Sequence, residues 1–276
     1  MSTPAFVVQG QGAVAVLLLH GIGGGKSIWA EGEGGTAGTA GGTASAIAAA
    51  GFLAVSIDFP GYGESAAMGA PDMDSLVAGV MSVLAAVAAR PGHSRSVLLG
   101  HSMGGMVAQE LLARHADAVQ GLILACTSAR FGKADGAWQQ QFLAERLAPL
   151  DAGLGMAGMA EGLIPGLLAP QASTQARQQA SALMSRVPEA TYRAALQAIA
   201  GFDRRAALAQ ISVPTLLLAA EHDRTAAPEL MQRMASRIAL AEFHCLPAAG
   251  HIANVEQPAA FNAAVLSFLR RHFAPA

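Results

Sequence analysis

Hydrophobic positions along the chain gather into short, nearly unbroken runs separated by longer helix-like segments. The runs are Ala13–Leu19, Leu53–Phe59, Ser96–Gly100, Leu122–Ala125 and Pro214–Ala219, with a weaker one at Phe243–Leu246. A run of this length that is apolar on both faces suits a strand buried in a parallel sheet with helices on each side. Asp74–Arg90, Gly104–His115, Pro228–Arg237 and Pro258–His272 carry helix patterns between them. Strand–helix alternation of this kind predicts an open, doubly wound, mostly parallel α/β fold.

The alternation stops between Ala129 and Ala207. This stretch has no convincing strand and four helix-like pieces, Trp138–Leu147, Gly155–Leu168, Ser173–Arg186 and Ala190–Ala200, punctuated by Pro149, Pro165, Pro170 and Pro188. An all-helical insertion between two sheet strands reads as a lid on the main domain. The expected organisation is therefore a core of residues 1–128 and 208–276 with a helical lid at 129–207. A second irregular stretch, Gly32–Ser45, is almost wholly Gly, Ala and Thr. It lacks a phosphate-loop pattern, so a flexible surface loop leading into a helix around Ala44–Ala50 is expected.

Composition narrows the class. With 53% hydrophobic and 13% charged residues the chain has the opposite balance to a disordered one. The net charge of −2 and the lack of a basic run argue against nucleic acid as a ligand. Cys126 and Cys245 are far apart and in no CxxC pair, so they read as buried free thiols rather than a redox or metal site. The first residues lack the basic start of a secretory signal, and no apolar stretch is long enough to span a bilayer. A cytoplasmic protein with no membrane partner is expected.

The candidate chemistry centres on VLLGHSMGGMVAQELL, in which Gly100-His101-Ser102-Met103-Gly104 is a GxSxG motif. It follows a strand-like run and precedes a helix pattern, the context that holds a serine on a strained strand-to-helix turn at the carboxyl end of a sheet. Ser102 is the expected nucleophile, placed where the helix end supplies N–H groups and positive dipole. With HGIGGG (His20–Gly25), DFPGYGES (Asp58–Ser65), AAEHD (ending at Asp223) and AAGHIANVEQP (around His251), the chain resembles the α/β-hydrolase superfamily over nearly its whole length. The resemblance implies the α/β-hydrolase fold with a Ser…Asp…His chain order.

A serine needs a base within hydrogen-bond reach. Of the eight histidines, His251 follows the last strand-like run in a Gly-His turn at the same end of the sheet as Ser102. His101 reads as a buried structural ring and His20 as the organiser of the turn after the first long strand. Asp223, just beyond the strand at Thr215–Ala219, is the expected acid that orients His251. Glu221 is its nearby rival, and Asp58 and Glu64 read as scaffold. The backbone amides of Met103 and Ile22 are expected to form the oxyanion hole, with Gly23 as the alternative to Ile22.

These parts predict an acyl-enzyme hydrolase of small, largely apolar carboxylic esters or lactones that uses no metal, nucleotide or flavin. Trp29, Phe131, Trp138 and Phe142 are candidate substrate-binding residues, as are Met156, Met159, Leu163 and Ile164. The segment ACTSARFGKADGAW also resembles the corresponding segment of 3-oxoadipate enol-lactonases. That likeness implies a carboxylate-bearing substrate facing Arg130. Carbon–carbon bond hydrolases of aromatic degradation usually have Asn where His101 stands. Haloalkane dehalogenase and epoxide hydrolase relatives use Asp at the position of Ser102. An acyltransferase, or a non-catalytic ligand-binding member of the fold, stays as an alternative, and a homo-oligomer is left open.

Overall fold

The computed structural model describes residues 3–30, 42–66, 72–132 and 136–274. Seven strands form one sheet: β1 (Phe6–Gln9), β2 (Val14–Leu19), β3 (Leu53–Ile57), β4 (Arg95–His101), β5 (Gly121–Ala125), β6 (Thr215–Ala220) and β7 (Ala241–Leu246). Their order is β1-β3-β2-β4-β5-β6-β7, and every pair is parallel except β1 with β3. Strands β2, β3, β5 and β6 are buried along their full length, as expected of runs with no polar face. The six expected strands are all present. The antiparallel edge strand β1 was not marked by the pattern, because FVVQ is short and only half-buried.

Helix placement follows from this strand order. The chain goes from β2 through α1 (Thr43–Ala49) to β3 on one side, then returns through α2 (Met73–Ala88) to β4 on the other. Right-handed crossovers that run in opposite directions put their helices on opposite faces. Consistent with this, α1 packs with α10 (Pro258–Phe273), whereas α2 packs with α3 (Met103–Arg114). The direction reverses at β2, so the carboxyl ends of β2 and β4 border the crevice of the sheet. Leu19 of β2 is paired with Gly100 of β4, which sets the turn after β2 beside Ser102.

Four helices lie between β5 and β6: α4 (Ala137–Asp151), α5 (Gly155–Leu167), α6 (Thr174–Ser185) and α7 (Glu189–Ala200). Two of the expected punctuating prolines, Pro149 and Pro165, lie inside α4 and α5. Each is two residues from the carboxyl end of its helix, so the i−4 hydrogen bond that its missing N–H forgoes is lost only in the final turn. The chain is completed by α8 (Pro228–Ala235) and the short α9 (Ala253–Glu256). Of the Gly/Ala/Thr-rich stretch, residues 31–41 lie outside the described residues, and α1 follows them. No described helix is long and apolar enough to cross a membrane.

Candidate active site

Ser102 is the residue between β4 and α3, with φ 53° and ψ −117°. This strained conformation turns the chain from strand to helix and holds the side chain clear of both. Two glycines permit it. A Cβ on Gly100 would lie 2.4 Å from the Gly104 carbonyl oxygen, and one on Gly104 would lie 2.2 Å from the Leu19 oxygen. The Thr127 hydroxyl donates to the Ser102 carbonyl at 2.7 Å, tying the turn to the end of β5.

His251 lies in the turn after β7, and its Nε2 is 2.9 Å from Ser102 Oγ. Its Nδ1 is 2.8 Å from Asp223 Oδ2. Asp223 follows β6, and its other oxygen accepts from the amides of Thr225 (2.8 Å) and Ala226 (2.9 Å). Burial pushes the Asp223 carboxyl up. The charge and hydrogen bond of His251 and the two amides outweigh this and hold it below the usual carboxylate range. Ser102, His251 and Asp223 thus form one hydrogen-bonded row, drawn from the ends of β4, β7 and β6. Glu221, the rival acid, is exposed and accepts from the Ala248 amide instead.

Two further histidines frame the row. His101 Nε2 donates to the His251 carbonyl at 2.7 Å, and its buried Nδ1 makes no hydrogen bond among the described residues. Burial, then the neighbouring His251, pushes its imidazole down to about 4. His20 Nδ1 donates to Gly21 O at 2.8 Å while Nε2 accepts from the Phe59 amide at 3.1 Å. Burial likewise pushes His20 down to about 4. The Tyr62 hydroxyl donates to the Ile22 carbonyl, which fixes the turn after β2. Ile22 faces the same cavity as Ser102, and Met103 opens α3, where the first amides have no partner within the helix. Asp58 is buried and accepts from the Lys26 amide, the Lys26 ammonium and the Glu64 amide, so it braces the turn away from Ser102.

The row opens into a cavity of about 420 Å³ between the sheet and the four-helix insertion, within the range of small-molecule sites. Arg130, Phe131, Trp138 and Phe142 line it, as do Leu163 and Ile164. Phe131, Trp138 and Phe142 form one aromatic cluster, with ring centroids 4.9 to 5.8 Å apart. Trp29 does not reach the cavity. The 3₁₀ turn Lys26–Trp29 drives its ring into the core, where it is fully buried near Phe261 of α10. Met156 and Met159 are also core residues. The sequence reading missed two cavity residues of interest, Arg146 and Tyr192. No motif sets Arg146 apart from the other charged residues of α4, and nothing in α7 separates Tyr192 from a core tyrosine.

The insertion is fastened to the His251 turn. The His251 amide donates to the Leu167 carbonyl at 2.7 Å. The Glu256 carboxylate accepts from Ala169 N (2.7 Å) on the insertion side and Gly250 N (3.0 Å) on the turn side. A Cβ on Gly250 would lie 2.6 Å from the backbone of Leu167 and Ala169.

Comparison with known proteins agrees with this architecture. Residues 16–264 match the alpha/beta hydrolase family, and the chain belongs to that family. It is 29% identical over 266 residues to RutD of Variovorax paradoxus, named a candidate carbamate hydrolase, covering 95% of this chain and 93% of that one. It is 29% identical over 180 residues to 3-oxoadipate enol-lactonase 2 of Acinetobacter baylyi, covering 64% of each. Among solved structures, a thermophilic esterase from Thermogutta terrifontis, determined with malate bound, superimposes with a TM-score of 0.79. The two share 28% identity, over 97% of this chain and 93% of that one.

Proposed function

We propose that this enzyme hydrolyses small carboxylic esters or lactones through an acyl-enzyme on Ser102. The observation that carries the reading is the unbroken hydrogen-bonded row Asp223–His251–Ser102 at the floor of a cavity. The kinship with an esterase and an enol-lactonase supports the substrate class.

The chemistry follows from the geometry. His251 Nε2 accepts the Ser102 proton as Oγ attacks the carbonyl carbon. Asp223 holds Nδ1–H, which fixes the tautomer and stabilises the imidazolium without taking its proton. The amides of Met103 and Ile22 receive the developing oxyanion, and each such donor contributes about 3 kcal/mol to the transition state. The leaving alcohol takes the proton from His251, and water, activated by the same ring, then releases the acid. The four-helix insertion acts as a lid whose apolar wall excludes bulk water and receives the substrate.

The test is hydrolysis of 4-nitrophenyl esters and of lactones by the wild type and Ser102→Ala, with a fluorophosphonate probe for the serine. The wild type should turn over and be labelled, and the variant should lose about ten-thousandfold or more in kcat and all labelling. Equal rates in the two proteins would overturn the reading.

A further inference from the structure

The charge inventory of the cavity is one-sided. Arg130, Arg146 and Arg224 line it, and no Asp or Glu does among the described residues. Arg130 is partly met by Asp203, with Nε 3.8 Å from Oδ2, and Arg224 is exposed. Arg146 has no carboxylate partner among the described residues. It lies over the face of Phe142, 4.9 Å from the ring centroid. The described carboxylates of α4 and α7 are committed elsewhere. Glu145 accepts from Gln141, and both Asp151 and Glu189 are held by Arg193.

Beside Arg146 stands Tyr192 of α7. The residue is fully buried, Arg146 is the hydrogen-bonding side chain at its hydroxyl and can only donate, and the hydroxyl finds no acceptor among the described residues. Burial lifts its phenol above the ordinary value, with Arg146 pulling the other way, so the hydroxyl stays protonated and able to donate. A desolvated hydroxyl donor without an acceptor carries a cost, and buried donors in native proteins are normally paired. The Tyr62 hydroxyl, paired to Ile22 O, shows the usual solution in this same molecule. A planar guanidinium and a phenol sharing one apolar wall match a carboxylate, which accepts from both.

We propose that Arg146 and Tyr192 form a carboxylate subsite on the insertion side of the cavity, so that the preferred substrate is an ester or lactone bearing a second, ionised carboxylate. This rests on the serine-hydrolase reading above and adds the substrate class to it. The aromatic and aliphatic wall then accommodates the hydrocarbon between the reacting carbonyl and the anionic end.

The experiment has two arms. In the first, kcat/KM is measured for 4-nitrophenyl half-esters of straight-chain dicarboxylic acids against 4-nitrophenyl esters of monocarboxylic acids of equal length. The wild type should favour the half-ester at its best chain length by on the order of tenfold to a hundredfold. Arg146→Gln should collapse that ratio, and Tyr192→Phe, which deletes only the hydroxyl, should lower it several-fold. Arg193→Gln, on the same helix but facing Asp151 and Glu189, should leave the ratio intact. A wild-type ratio near one, or a ratio unmoved by both cavity variants, overturns the subsite. In the second arm, calorimetry compares binding of the free dicarboxylate and monocarboxylate to the wild type and Arg146→Gln. The dicarboxylate should bind more tightly to the wild type only, and equal binding overturns the proposal. Because this arm needs no turnover, a protein inert to every ester would sink the hydrolase reading while still reporting on the subsite.

Discussion

His251 is held from three directions: its ring by Asp223 and Ser102, its carbonyl by His101 and its amide by Leu167. Of these, the Asp223 contact decides which ring nitrogen carries the proton. Asp223→Asn can accept at Nδ1 only through its amide oxygen and adds no compensating charge. A kcat loss of about ten-thousandfold is expected, with the fold retained. Stopped-flow ester hydrolysis combined with circular dichroism checks both halves, and a variant with near-normal kcat would remove Asp223 from the mechanism. Residues whose role depends on backbone shape were legible in the sequence. Ser102 between Gly100 and Gly104 is one, because only a sharp turn demands that spacing. Residues whose role depends on where a ring points were not. Trp29 follows the turn after β2 by a few positions, yet a single 3₁₀ turn sends it into the core, and no periodicity reports that. Arg146 and Tyr192 come together only when α4 and α7 pack.

Helix α3 does more than present an amide at its start. Midway along it Glu110 is almost wholly buried, and its Oε1 accepts from Arg114 at 2.6 Å and from Arg204 at 2.5 Å. Arg114 also reaches Asp74 of α2 at 2.7 Å. The network therefore joins α2 and α3 to the segment that returns from the insertion to β6. Glu110→Ala should destabilise the protein by about 2 kcal/mol, since two charge-assisted bonds are lost while the half-exposed arginines remain hydrated. Urea unfolding measures this, and a change within a few tenths of a kcal/mol would show that the network is idle. Elements with strong patterning, the five inner strands and the long helices, could be read to within a few residues. The edge strand β7 left only a weak pattern, and the edge strand β1, four residues long and half-buried, left none. The extension of α4 through Pro149 was hidden for a similar reason, since packing in the last turn overrides local propensity.

For the whole molecule, the pH response follows from two buried imidazoles. His20 and His101 are both pushed down to about 4 in the fold and return to about 6.5 in the unfolded chain. Between those values the unfolded chain takes up protons that the folded one refuses. Stability is thus fully present above about pH 6.5 and declines as pH falls toward about 4. Asp223, depressed below its ordinary value, adds a further loss as pH falls from the ordinary carboxylate range to its lowered value, below the histidine window. Melting temperatures should hold from neutral pH to about pH 6.5 and drop from there toward about pH 4. A flat profile would mean that both rings protonate freely within the fold.

The fastening of the insertion to the His251 turn also limits how this molecule can breathe. Leu167 and Ala169 are hydrogen-bonded to the His251 turn and to Glu256 just beyond it. Lifting that edge of the insertion would break the hydrogen bond from the His251 amide to Leu167 and strip Glu256 of a partner. The His251 ring and the near edge of the insertion are therefore linked through shared backbone hydrogen bonds. Movement at the opposite side, where Phe131 meets Trp138 and Phe142 of α4, would leave these bonds intact.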